Sequence, residues 1–302
     1  MKKYIISLVL LLPIYCFSQW LDQGSLQATV LLEKLKDSEL IPHGTGFLLY
    51  NYDNPRDYIV VTCAHLIKNR NEIFVRMNID SSITQAFKEK GKIDGIYTAE
   101  RNWEIIENNI VFKINLSSNP KSYVINDSLD IGAFFINIPI LIVEDDTSKK
   151  ALKFSQKLGV PKSGFKYRKE LSLGDEVYFI GFPFGIGASK TITPIVRSGS
   201  IAWLPSGYPG FLLDSFSFGG NSGSPIFCKV LLGTKIGKLN WDAPKLIGMI
   251  IGHHGIKLDN VLTQPNPDEL KFEKGSLEMN FGLARCVFID DILKVTEQLV
   301  TN

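Results

Sequence analysis

Apolar positions in this chain cluster in short β-branched and aromatic runs bounded by Gly, Pro, Asn, Asp and Ser. The three- and four-residue spacing of amphipathic helices is largely missing. Such runs predict strands over 26–33, 44–51, 57–63, 72–77, 103–114, 131–137, 175–181, 194–203, 210–214, 225–230, 245–252 and 281–287. Many short strands with turn signals between them argue for an all-β protein built of barrels or sandwiches. One segment breaks the pattern: Ile289, Ile292, Leu293, Val295 and Leu299 share a helical face and predict a C-terminal helix at about 289–300. The stretch 140–170, with Glu144-Asp145-Asp146 and Lys149-Lys150, reads as an exposed, partly helical insertion. Residues 232–244 and 254–280 read as surface loops, the second carrying Gln264-Pro265-Asn266-Pro267-Asp268.

The N-terminus adds a targeting signal. Lys2 and Lys3 precede an apolar core from Ile5 to Ile14, and Cys16-Phe17-Ser18 is a small-residue exit, so residues 1–18 read as a secretory signal peptide. The mature chain, 19–302, is expected to be exported, periplasmic or secreted, with no membrane insertion once the signal is removed. It keeps Cys63, Cys228 and Cys286, an odd number in apolar surroundings, so at least one thiol is unpaired. No zinc-type spacing occurs, and no metal or organic cofactor is expected. A formal net charge of +2 with no long basic run gives nucleic-acid binding no support.

Three segments carry chemistry. Gly219-Gly220-Asn221-Ser222-Gly223-Ser224-Pro225 sets a serine among glycines, whose freedom at positive φ lets successive N–H groups converge on one point. Tyr58-Ile59-Val60-Val61-Thr62-Cys63-Ala64-His65 delivers a histidine at the end of an apolar strand. Ser128-Leu129-Asp130-Ile131-Gly132-Ala133 sets a carboxylate directly before another. An alcohol nucleophile needs a base, and the base needs a partner to fix its tautomer. His43, His253 and His254 end no such strand, and Asp127 sits in the turn-like Asn126-Asp127-Ser128. Ser224 is the rival nucleophile.

The order His, Asp, Ser and these flanks resemble the chymotrypsin/trypsin-like serine proteases. Thr62-Cys63-Ala64-His65 is similar to the family's Thr-Ala-Ala-His, and Asp130-Ile131-Gly132-Ala133 to its Asp-Ile-Ala-Leu. Gly220-Asn221-Ser222-Gly223-Ser224-Pro225 is similar to the bacterial glutamyl-endopeptidase and exfoliative-toxin branch, and less closely to HtrA-type proteases. Gly44-Thr45-Gly46-Phe47-Leu48, Leu173-Gly174-Asp175-Glu176-Val177, Gly181-Phe182-Pro183 and Leu246-Ile247-Gly248-Met249-Ile250 extend the likeness over roughly 43–295. The resemblance implies two six-stranded antiparallel β-barrels, the first at about 25–140 and the second at about 170–288. His65 and Asp130 would come from the first and Ser222 from the second. The peptide-binding module that follows the protease in most HtrA-type proteins is not expected after Asn302.

By the same resemblance, His65, Asp130 and Ser222 would form a catalytic triad, with the backbone N–H groups of Gly220 and Ser222 as an oxyanion hole. The substrate would be a peptide or protein. In zymogen-activated relatives an aspartate stands before the nucleophile and pairs with a freed N-terminus; Asn221 cannot form that ion pair. Phe216 occupies the place of trypsin's specificity aspartate, and Phe216, Ser217, Ile251, Gly252 and His253 are the expected substrate-binding positions. They imply cleavage after small or medium apolar residues rather than after Lys, Arg or Glu. The competing reading is a protease-fold binding or chaperone-like protein without useful turnover. An esterase elbow of the Gly-x-Ser-x-Gly type does not match Gly220-Asn221-Ser222-Gly223.

Overall fold

The computed structural model describes residues 23–50, 57–78, 103–106, 108–117, 123–137, 141–145, 148–152, 159–229, 244–263 and 273–300. The chain opens with α1 (Gln23–Ala28) and continues into β1 (Thr29–Lys36), β2 (Glu39–Tyr50), β3 (Asp57–Thr62), α2 (Ala64–Ile67), β4 (Glu72–Asn78), β5 (Trp103–Ile106), β6 (Asn109–Asn115), β7 (Tyr123–Asn126) and β8 (Ile131–Asn137). These strands form one antiparallel sheet in the order β5-β6-β4-β1-β2-β3-β8-β7, curled as a half-barrel. After a two-stranded hairpin of β9 (Leu141–Asp145) and β10 (Ser148–Leu152) come β11 (Glu176–Gly181), β12 (Ile195–Trp203), β13 (Phe211–Asp214), β14 (Pro225–Cys228), β15 (Lys245–Thr263) and β16 (Glu273–Phe288). These six close into a barrel, β11-β12-β13-β16-β15-β14, and α3 (Ile289–Val300) follows. This is the chymotrypsin-like architecture that the resemblance implies, with the second barrel closed.

Strand alternation explains why the barrel and the half-barrel stay together. In β11, Val177 and Phe179 point into the barrel, among Ile201, Phe211, Leu213, Ile226 and Phe288. Their neighbours Tyr178 and Ile180 point the other way and are buried with Phe227, Leu246, Met249 and Val287 in a core shared with the first sheet. A strand buried on both faces reads as a continuous apolar run, and Val177-Tyr178-Phe179-Ile180 is one. Ile289, Ile292, Val295 and Leu299 extend that shared core along one face of α3. Each such side chain contributes about 1.5–3 kcal/mol on burial, as an upper bound. The helix packs on β7 and β8 as well as on β15 and β16, so it straddles the seam rather than docking on the second barrel alone.

Several expectations change. The insertion expected to be partly helical is a β-hairpin at 141–152, and Tyr123–Asn126 is a further strand. The expected strand at 103–114 is two, and the one at 26–33 begins as helix. The expected loop 254–280 is mostly a β-ribbon: β15 and β16 remain paired from Gly255↔Asn280 out to Thr263↔Glu273. Ile256-Lys257-Leu258-Asp259 and Leu277-Glu278-Met279-Asn280 alternate as strands do, a signal that the turn residues Gln264-Pro265-Asn266-Pro267-Asp268 outweigh in a reading of the sequence. The signal segment 1–18, residues 232–243 of the other expected loop, and the tip 264–272 lie outside the described residues.

Candidate active site

His65 and Asp130 meet because their strands are neighbours in register. Thr62 of β3 pairs with Gly132 of β8, so the residues just beyond these positions emerge at one end of the sheet. Cys63, in extended conformation, ends the strand and starts the single-turn α2. The first N–H groups of a helix have no internal partner, and Asp130 takes two of them. Its carbonyl accepts from Ala64 N–H at 3.1 Å and its Oδ1 from His65 N–H at 2.9 Å. The other carboxylate oxygen, Oδ2, lies 2.7 Å from His65 Nδ1. Asp130 adopts φ 54°, a left-handed conformation that aspartate tolerates better than most residues. Gly132 lets α2 lie close: a Cβ there would meet Ile67 Cδ1 at 2.6 Å. Asp127 instead pairs at the surface with Lys68 Nζ at 2.8 Å, and Asn126 Oδ1 accepts from Leu129 N–H at 3.1 Å, so this neighbour belongs to the turn.

The Ser222 loop is shaped by ties from both halves. Gly219 C=O accepts from Phe184 N–H at 2.6 Å, and Asn221 C=O from Ser224 N–H at 2.9 Å. In a planar trans peptide the N–H points opposite to the C=O. These two bonds therefore turn Gly220 N–H and Ser222 N–H away from the loop's anchors. Among the described residues neither N–H has an intramolecular acceptor. Gly220 and Gly223 have φ 94° and 89°, and a Cβ on Gly223 would run into the Thr45 carbonyl. Thr45, on β2, is the clamp. Its N–H donates to Ser222 C=O at 3.0 Å and its hydroxyl to Gly220 C=O at 2.7 Å, while Thr62 Oγ1 donates to Thr45 C=O at 2.7 Å. The end of the histidine strand is thus wired to the serine loop through one residue.

Ser222 is half-buried, whereas Ser224 and Asn221 are wholly buried beneath it. Ser224 Oγ lies against Gly181, out of reach of a ligand. Neither amide atom of Asn221 has a partner among the described residues.

Cys63 was missed as a member of this group; its place two residues before His65 is the only sequence signal for it. It is fully buried, donates to Ile250 C=O at 3.4 Å, and makes hydrogen-bonding contact with the side chains of both Asp130 and Ser222. Burial, reinforced by the charge of Asp130, pushes its thiol well above the ordinary range, so it stays protonated and un-nucleophilic. The thiol, His65 and Asp130 bring ligand-type atoms within 4.8 Å of one another. The 2.7 Å between Nδ1 and Oδ2 nevertheless suits a shared proton, since tetrahedral zinc ligands sit about 3.3–3.8 Å apart. His43 bonds Leu66 C=O through Nε2 at 3.2 Å and takes no part in this arrangement.

The expected substrate-binding residues are spread around the serine loop. Phe216 is 48% exposed, and its ring lies 3.4 Å from where a Cβ on Gly282 would be, so it covers that glycine. Ser217 is buried, with its carbonyl accepting from Asn280 Nδ2 at 2.6 Å. Ile251 packs against the shared core, Gly252 faces open space, and His253 pairs in the ladder with Ala284. Phe218 stacks on Phe216 and meets Phe184, and neither Phe218 nor Phe184 was among the expected residues.

The model of the trypsin-like peptidase domain matches residues 44–230. The HtrA-type protease AlgW with tripeptide is similar in structure, at 13% identity and a TM-score of 0.46, over 91% of this chain; the chain spans 60% of that protein's length. No curated protein matches.

Proposed function

Because the chain belongs to the trypsin-like peptidase family, we propose that it is an exported serine endopeptidase using Ser222, His65 and Asp130. Ser222 Oγ attacks the peptide carbonyl, and His65 takes its proton and returns it to the leaving amine. Asp130 holds the ring with Nδ1–H facing it, which leaves the other ring nitrogen for Ser222. The N–H groups of Gly220 and Ser222 receive the developing oxyanion; in other hydrolases the loss of one such donor costs about 3–4 kcal/mol. The observation that carries this reading is the double hold of Asp130 on His65, at 2.9 and 2.7 Å, beside a serine loop whose Gly220 and Ser222 N–H groups have no acceptor among the described residues.

The test is labelling of the purified chain with a serine-directed fluorophosphonate, with peptide hydrolysis measured in parallel. Ser222→Ala should abolish both while keeping the melting temperature. Retained turnover in that variant refutes the assignment, and a native chain that neither labels nor cleaves is a binding protein on a protease fold.

Two finer points belong to the same proposal. Phe216 lying over Gly282 supports a shallow primary pocket for small or medium apolar residues; dominant cleavage after Glu, Lys or Arg in a peptide library would overturn it. Export is supported by the charged and apolar pattern of residues 1–18, and a mature protein beginning at Gln19 would bear it out.

A further inference from the structure

Beside the candidate centre lies a hollow, partly open to solvent, between the Leu129 turn of the first sheet and the outer face of the second barrel. Leu129 immediately precedes Asp130. Ile251, on the opposite wall, follows Ile250, whose carbonyl accepts from Gly223 N–H at 2.9 Å and from the Cys63 thiol at 3.4 Å. The hollow therefore adjoins Asp130 on one side and reaches the Ser222 loop through Ile250 and Gly223 on the other. A ladder irregularity between Ile250 and Gly252 turns Ile251 out of strict pairing, the device by which strands re-aim side chains next to functional sites.

The lining is chemically selective. Trp203 and Tyr208, 42% and 53% exposed, face each other with ring centroids 5.3 Å apart and form an aromatic wall. Arg285 stands on β16, paired in the ladders with Leu212 and Gly252, and is exposed. Among the described residues its guanidinium has no hydrogen bond, ion pair or ring partner. His254 lines the same space, and no Asp or Glu does. A guanidinium fork left without a carboxylate beside an aromatic wall can receive one in a bidentate pair.

We propose that this hollow is an extended substrate subsite that takes an aspartate or glutamate side chain of the peptide, with Arg285 as its specificity-determining residue. The inference rests on the peptidase reading and adds a substrate class to it: an acidic residue away from the scissile bond. The primary pocket under Phe216 still takes the apolar residue at the cleaved bond.

The experiment is a positional scan. Peptides carry Asp or Glu, or the isosteric Asn or Gln, at each place on either side of the cleaved bond. Native chain, Arg285→Gln and Arg285→Glu are compared by the acid-to-amide ratio of kcat/KM, which cancels any loss common to both peptides. At one position the native ratio should be about two- to fivefold at low salt and shrink as salt is added, as for a part-exposed ion pair. Arg285→Gln should bring it to about one, and Arg285→Glu should bring it below one. A ratio near one at every position, or a preference that survives in Arg285→Gln, overturns the proposal while leaving fluorophosphonate labelling of Ser222 intact. A native chain that does not label fails at the peptidase reading, and the proposal falls with it.

Discussion

Replacing Thr45 by Val is the sharpest perturbation of the site that touches no reacting atom. The hydroxyl is fully buried, donates to Gly220 C=O at 2.7 Å and accepts from Phe182 N–H at 3.1 Å. Valine fills nearly the same space but leaves both backbone groups unpaired, at about 1–3 kcal/mol each. A loss of about 2–6 kcal/mol follows, which for a domain of this size lowers Tm by roughly 4–24 °C. The effect on rate comes through Gly220, whose N–H is aimed by the peptide planes on either side. Other ties on the loop persist, among them those at Gly219, Asn221, Ser222 and Gly223. The drop in kcat should therefore be about ten- to a hundredfold, short of the full loss of an oxyanion donor, with KM little changed. Thr45→Ser keeps the hydroxyl and should stay within about twofold of the native rate. Steady-state kinetics below the melting transition, with thermal denaturation of both variants, make the comparison. Native kcat in the valine variant would refute the view that Thr45 sets the hole.

Further outcomes follow from other groups. Burial, aided by the charges of Arg70 and Lys34, lowers His43 from 6.5 to about 4, so it is neutral when folded. The unfolded chain binds its proton first as pH falls, so stability is present above 6.5 and is lost between 6.5 and about 4. Allowing for the ring's partial exposure, the loss is about 1–2 kcal/mol. Denaturant melts of His43→Gln should be flatter across that window, and parallel curves would sink the point. Because Asn221 is uncharged and buried, chain carrying an N-terminal tag should label with fluorophosphonate as fast as chain beginning at Gln19; labelling only after proteolytic trimming would contradict this. Phe216→Ala should widen the primary pocket, moving preference toward larger apolar residues in a peptide library, and an unchanged profile would show that the ring does not limit it.

Much of this site was legible because its chemistry is local. His65, Asp130 and Ser222 each sit at a strand edge or in a glycine-rich turn, and those signals survive in one dimension. What could not be read is what lies between them. Thr45 looks like one more polar residue in a strand, and Cys63 like a small core residue, until β2, β3 and the Ser222 loop are folded together. The fold was legible where strands alternate or run apolar, as in 57–62 and 176–181. It was missed in the 141–152 hairpin, where Glu144-Asp145-Asp146 and Lys149-Lys150 read as an insertion, and in the outer part of the β15–β16 ribbon, where Gln264-Pro265-Asn266-Pro267-Asp268 reads as a loop. Arg285 carried no signal either, because a lone cation on a strand is ordinary until its neighbours prove to hold no anion.

The wiring from Thr62 through Thr45 to the serine loop crosses between the half-barrel and the closed barrel, so neither half owns a working centre. On the proposed peptidase reading, hydrolysis then becomes a gauge of how tightly the halves are docked. Mild urea that loosens the seam should silence the enzyme while far-ultraviolet circular dichroism still reports every strand in place.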